Sequence, residues 1–377
     1  MPHGSRRASA IVKNSRSGTN LDDYVAGVFI MRSGNALFVM VAASTLCAAC
    51  TVATEDGEVD AESPSGTTAA TLVVDNHLEL QGVELQGVEL QGVELQGIEL
   101  QGVELQGVEL QGVELQGTDL TGIDCNGDFV NGSDFVGSTM VGVLSNDESL
   151  TLRIDAITPS ADPAVGLFTV SYHDGAGWKS LCGESDGAPV KAIPLMGRWD
   201  SSQGTLTGGS HIDDPTMFTF ACRTAVLAKC VEMGYKPWDS VAECHEGACT
   251  QRSLRHFHQA CTRMMRADYC GDGMPHTQNG RSINVWDNFD IQERELVFGG
   301  HWKREAEWEP TGAMCIKKYR WDPGHVTKNY VQQHCQERKN ADGGLHCFDN
   351  DSPFFTEDGF STPMSVRVLL RNEAYIP

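Results

Sequence analysis

Asp268, Asp272 and His276 fall close together around the glycines of Cys270-Gly-Asp-Gly273. Carboxylates and an imidazole on a Gly-rich turn could hold a metal or move protons as general acid and base. The same residues also read as a helix C-cap at Gly271 followed by an Asx turn. Gly209-Ser210-His211, with Asp213 and Asp214, supplies the residue types of a nucleophilic triad. Sequential neighbours rarely assemble one, because the geometry draws on separate elements. Cys244, Cys249, His256, His258 and Cys261 are zinc-ligand types, but they follow no recognised finger spacing. The chain has no nucleophile elbow, P-loop or EF-hand loop, and His245-Glu246 lacks the second His of a zincin. The catalytic candidates are therefore Asp268, Asp272 and His276, and no cofactor is expected.

Cysteine is the commoner chemistry. Cys182, Cys222, Cys230, Cys244, Cys249, Cys261, Cys270, Cys315, Cys335 and Cys347 are an even set in the C-terminal half. In an exported chain such a set implies five disulfides, with connectivity open. Oxidation would consume the thiols that zinc needs. Cys222 and Cys230 share a broad side of one expected helix, so each should pair outward. Cys261 and Cys270 should tie a second helix to separate elements, among them the Cys222/Cys230 helix and the Cys244–Cys249 loop. Cys125 is expected to be a buried free thiol.

Export is readable near the N-terminus. Ala36 to Ala49 read ALFVMVAASTLCAA, too short to span a bilayer but suited to the apolar region of a signal peptide. Met31-Arg32 stands just before it, so residues 31–50 form the expected signal and residues 1–30 read as over-called coding sequence. The alternative is a long, atypical N-terminal region. Leu46-Cys47-Ala48-Ala49-Cys50 resembles the bacterial lipobox, which implies cleavage before Cys50 and its lipidation. The departure is Cys47, which stands where the lipobox carries Leu. Ordinary secretion with an Ala-x-Ala-like cut is the competing reading. Cys47-x-x-Cys50 also has redox spacing, without the strand–helix context that such a motif needs. Residues 51–77 are acidic, rich in Ser, Thr and Ala, and free of aromatics, the composition of a disordered tether. The expected location is the cell envelope, at the outer membrane or cell surface, with the membrane itself as partner through the lipid.

The chain of 377 residues carries a formal charge of −23. Residues 51–142 hold 18 of the acidic groups and no Lys or Arg. Nucleic acid is excluded as a partner on this charge pattern. A polytopic membrane protein is excluded because no apolar run reaches ~20 residues.

From Leu78 the chain reads LELQG and then VELQG, with one IELQG, before degenerating after Gly117. Gly recurs every five residues from Gly82 to Gly142. Five residues advance a helix by about 500°, so the Leu stripe would precess by about 140° per repeat. Five is odd, so on a flat strand successive Leu would alternate faces. A coil turning a corner every five residues keeps Leu inside, with Gly relieving each corner. The tract resembles the pentapeptide-repeat family. Leu80 and each fifth residue to Leu120 match the central inward position, continued by Cys125, Val130, Phe135 and Met140. The resemblance implies a right-handed four-sided β-helix over residues 78–142, with Glu84 and its equivalents outward. Some members mimic duplex DNA and bind gyrase, a role that export opposes. A spacer, or else an acidic docking face, is the expected use.

Beyond Leu144 the pattern changes. Ser149–Ile154, Leu167–Tyr172, Lys191–Trp199 and Ser365–Leu370 alternate as strands. Asp214-Pro215 reads as an N-cap opening a helix that stops at Gly234. Leu254, Phe257, Cys261, Met264 and Met265 give a second helix, about 252–268, an apolar face. Its arginines, Arg252, Arg255, Arg263 and Arg266, fall largely elsewhere and read as a solvated face, or else as a surface for an acidic partner. The segments from Phe218 to Trp238 and from Ala260 to Thr277, with Ala267-Asp268-Tyr269-Cys270 at their centre, resemble the ADYC domain. The resemblance spans about residues 145–377. It implies an exported protein and no established activity. The expected fold is an α+β disulfide-rich domain preceded by the short β-helix. The expected function is a non-enzymatic surface binding or structural role, toward an envelope protein or surface ligand. The alternative is an exported enzyme with its site near Asp268–His276.

Overall fold

The chain divides into two units, Met1–Asp56 and Gly57–Pro377. The computed structural model describes residues 77–79, 85, 89–90, 93–146, 148–245, 248–295, 300–335 and 368–377, all in the second unit. The export segment, Cys50, the acidic tether and Cys347 lie outside the described residues. No helix among the described residues is long and apolar enough to cross a membrane.

The expected α+β class is not what forms, because the domain is mostly β. Six strands close on themselves: β1 Val93–Glu99, β2 Thr139–Leu144, β3 Ser149–Pro159, β4 Gly166–His173, β5 Ala192–Met196 and β6 Met217–Cys222. Around the barrel the order is β1-β6-β5-β4-β3-β2, with β2 pairing back to β1, and every pairing is antiparallel. Ile98, Met140, Leu152, Ile154, Phe168, Val170, Ala192, Phe218 and Phe220 fill the interior. Phe168 and Phe218 both pack on Phe220, with ring centroids 5.6 and 5.0 Å apart. On the outer face, Ile193 and Leu195 of β5 and Ala221 of β6 join a second core with the helices. These strands are therefore buried on both faces and read as unbroken apolar runs. That is why Asp214–Gly234, expected as one helix, is mostly not helical. Met217–Cys222 is a barrel strand, and only Val226–Glu232 (α1) is helical. The Asp214 side chain caps a turn instead, accepting the Thr216 N–H at 3.1 Å.

The described repeats do not coil into a β-helix. Glu104–Leu105 and Val108–Glu109 form a hairpin in which Leu105 faces Val108 across Gln106-Gly107. Both turn residues have positive φ, 54° and 78°, the signature of a type I′ turn. Gln111–Gln116 pairs with Asp119–Ile123 as a second hairpin, which turns across Gly117-Thr118 with Gly117 at φ 64°. The repeat glycine therefore sits in a chain reversal where a coil would only bend the chain. The burial expected of the repeat still holds at many positions. Leu100, Leu110, Leu115, Leu120, Phe135 and Met140 are buried, while Glu104, Glu109 and Glu114 are exposed. One repeat becomes the barrel stave β1. Its Ile98, the one Ile among the VELQG copies, is fully buried opposite Phe218.

The second core lies between the helices and another antiparallel sheet. That sheet runs His77–Glu79, β7 Ser282–Asp287, β10 Leu370–Tyr375, β8 Trp302–Glu309 and β9 Gly312–Ile316, from edge to edge. α2, Arg255–Arg266, is buried along almost its whole length, and α3 spans Val326–His334. Of the stretch Ser365–Leu370, expected as a strand, the described part begins at Val368 and is strand only from Leu370.

Four disulfides staple these parts: Cys182–Cys222, Cys230–Cys261, Cys244–Cys249 and Cys270–Cys335. Cys230–Cys261 joins α1 to α2 as expected. Cys270 goes to the end of α3 and not to the Cys244–Cys249 loop, whose two cysteines pair with each other across a hairpin. Cys315 is also bonded. So is Cys125, which corrects the free thiol expected there. Mass mapping of the unreduced protein should recover these four pairs. Replacing both Cys270 and Cys335 with Ser should cost about 2–4 kcal/mol by freeing the unfolded chain, read as a lower urea midpoint.

Candidate binding cleft

α2 ends at Arg266, and Ala267 turns the chain in the left-handed conformation at φ 51°. Asp268 then points inward with no exposure. Its Oδ1 accepts the N–H groups of Gly271 (2.9 Å) and Asp272 (3.1 Å), and its Oδ2 accepts that of Gly273 (2.9 Å) and Nη1 of Arg263. Burial pushes its carboxyl up, and the cations of Arg263 and Arg266 pull it back. The Tyr269 hydroxyl donates to Glu305 Oε1 at 3.0 Å and accepts the Arg320 N–H at 3.0 Å. Arg320 is fully buried against Glu305 and donates to the Met264 and Met265 carbonyls at the end of α2. Gly271, at φ +71°, leaves no room for a side chain, since a Cβ would lie 1.7 Å from the Thr311 carbonyl oxygen.

The other candidates join the same turn. Asp272 Oδ2 accepts the Tyr330 hydroxyl at 2.8 Å, and its Oδ1 accepts the Met274 N–H at 3.1 Å. The His276 ring packs between Tyr269 and Tyr330, with centroids 5.9 and 4.7 Å away. Burial pushes it down to about 4, so it is neutral at neutral pH. The sequence does bring Asp268, Asp272 and His276 together. However, Asp268 is sealed and its oxygens are occupied, so the turn is built as structure.

The remaining candidates are dispersed. Ser210 Oγ accepts from Arg263 Nη2 at 2.8 Å. His211 stands edge-on to Trp199 at 4.6 Å, Asp213 pairs with Arg255 and Asp214 with Arg198. Of the zinc-ligand types, Cys244, Cys249 and Cys261 are in disulfides and His258 Nε2 bonds the Leu227 carbonyl at 3.0 Å. The arginines expected as a solvated face of α2 are divided. Arg255 is at the surface, but Arg263 and Arg266 are buried.

Arg263 carries the turn outward. It donates to the carbonyls of Gly208 (2.6 Å) and Pro310 (3.1 Å) as well as to Asp268 and Ser210. The Thr205 N–H donates to the Asp272 carbonyl at 3.1 Å. At Gly208 a Cβ would fall 2.2 Å from the Ser202 carbonyl and 2.3 Å from that of Asp272. Loop 200–210 is thereby clamped against the turn. On its other side, Asp200, Ser201 and Ser202 line an open cleft of about 670 Å³. Gln96 and Glu99 of β1, Val143 and Leu144 of β2, then Ser145, Arg198 and Met217 complete the lining. Burial pushes the Asp200 carboxyl up, but hydrogen bonds from Ser202 and Thr207 outweigh it and hold it below its ordinary value. The Thr216 hydroxyl likewise holds Asp214 down, with help from Arg198.

Sequence reasoning missed this cleft, because its walls come from four separate stretches of chain, 96–99, 143–145, 198–202 and Met217. The Gly- and Ser-rich run from Ser201 to Ser210 was the one local signal.

The ADYC domain matches residues 132–322, and pentapeptide repeats match residues 81–122 in 8 copies. No curated protein and no solved structure matches the chain. The ADYC match takes in barrel strands β2 to β6, the loop lining the cleft and the turn that clamps it. It spans half of the chain, which belongs to the ADYC domain family.

Proposed function

We propose that this is an exported lipoprotein of the cell envelope, anchored through Cys50 at the outer membrane or cell surface, and that it binds a ligand in the barrel cleft without transforming it. The observation that carries export is the set of four disulfides among the described residues, since such bonds persist in oxidising compartments. The lipobox-like Leu46–Cys50 stretch supports the anchor, and the acidic segment 51–77 supplies the tether. A binding role is favoured over catalysis because the Asp268 carboxylate is buried and taken up by the turn and Arg263, and the Asp272 carboxylate accepts from Tyr330 and Met274. In the native host, Cys50→Ala should release the protein from membranes and abolish labelling by a fatty-acid probe. Undiminished labelling of that variant would remove the anchor from the proposal.

A further inference from the structure

Building on the binding reading above, we propose that the cleft takes a small zwitterion, a short peptide with free ends, its carboxylate on Arg198 and its ammonium on Glu99. Arg198 Nε pairs with Asp214 Oδ2 at 3.4 Å, while its two terminal nitrogens make no hydrogen bond to a described residue. That leaves a planar pair of donors shaped for a carboxylate. Asp200 does not compete for a ligand. Its Oδ1 takes the Ser202 N–H and hydroxyl, and its Oδ2 takes the Thr207 hydroxyl at 2.6 Å. Glu99 is exposed and has no partner among the described residues, so it is the acid available to a cation.

A second observation marks a built site. The pairing of β1 with β2 shifts register between Leu95 and Gly97, which leaves Gln96 as a bulged residue. Bulges re-aim side chains beside binding sites. Here the Gln96 amide turns into the cleft and donates to Ser201 Oγ at 3.0 Å, leaving its carbonyl oxygen to accept a peptide N–H. Next to it, Gly97 opens the floor, since a Cβ there would meet Met217 Cε at 3.0 Å and Arg198 Cβ at 3.6 Å.

The lining also selects by what it lacks. No aromatic ring borders the cleft, so a sugar or base has no stacking platform. Val143 and Met217 offer an aliphatic floor, suited to small apolar side chains. The net charge of −23 repels net anions at a distance, so a carboxylate is admitted best when it carries its own cation.

The test is calorimetric titration of the full chain with trialanine, its C-terminal amide and its N-acetyl form. Free trialanine should bind, the amide at least tenfold more weakly and the N-acetyl form several-fold more weakly. Arg198→Met should erase the preference for a free carboxylate. Glu99→Gln, at an exposed position where folding is not at stake, should erase the preference for a free amine and keep the other. Equal binding of all three peptides, or preferences unchanged in both variants, would overturn the proposal. Binding of chitotriose in place of every peptide would overturn the ligand class and leave the cleft reading intact. Failure of peptides and sugar alike would count against both.

Discussion

Asp268→Ala is expected to lower folding stability by about 3–5 kcal/mol, as removing one partner of a buried ion pair does. Three backbone N–H groups would lose their acceptor, and the Arg263 guanidinium would lose its only carboxylate partner among the described residues. Arg263 is itself buried, with side-chain exposure of 2%, so its charge would be stranded. Asp268→Asn should fall between, because one oxygen still accepts while the new amide N–H faces backbone donors. Asp272→Asn, whose oxygen can still accept the Met274 N–H while its amide donates to the Tyr330 hydroxyl, should cost under about 1 kcal/mol. Urea unfolding followed by the fluorescence of buried Trp199 and Trp308 would rank the three. If Asp268→Ala unfolds at the wild-type midpoint, the buried Asp268 network does not stabilise the domain.

Acid should unfold the protein well above the carboxylate range. His258 and His276 are both buried and pushed down to about 4 by that burial, against ~6.5 in the unfolded chain. Between those values the unfolded chain binds more protons, so acidification favours it. The contribution of each imidazole is fully present above pH ~6.5 and is lost toward pH ~4, roughly 3 kcal/mol per histidine. His211, lowered mainly by burial, acts in the same direction. Asp268 and Asp287, raised by burial, oppose it, because they take up protons more readily when folded. Urea midpoints should therefore fall steadily from pH 7 to pH 4.5. A flat or rising profile over that range would contradict the burial of these two rings.

What the sequence revealed depended on how local the cause was. α2 was legible because Leu254, Phe257, Cys261, Met264 and Met265 lie on one face at helical spacing. Its arginines were not, because the partners of Arg263 (Gly208, Ser210 and Pro310) come from loops about 50 residues away. Met217–Cys222 was misread because a strand covered on both faces has no alternation, and the Asp-Pro before it fits a turn as well as a cap. The repeats were legible in burial and wrong in topology. Five-residue spacing places Leu inside whether the turn at the repeat glycine bends the chain or reverses it, so the spacing alone does not decide between them. The Asp268–His276 cluster was legible as a cluster and also as a capped turn, and burial chose the second.

Because β1 is cut from a run of near-identical words, the barrel faces a phasing problem that most barrels never meet. Sliding the chain by one repeat would offer a stave of almost the same spelling, so neighbouring frames differ little in energy. Ile98 breaks the tie. Its extra methylene, buried opposite Phe218, is worth about 1 kcal/mol over Val, roughly fivefold in population. The same near-degeneracy makes the tract forgiving over generations. Slippage during replication can add or drop a copy and still leave a serviceable stave, so tract length can drift while the closed barrel is inherited unchanged.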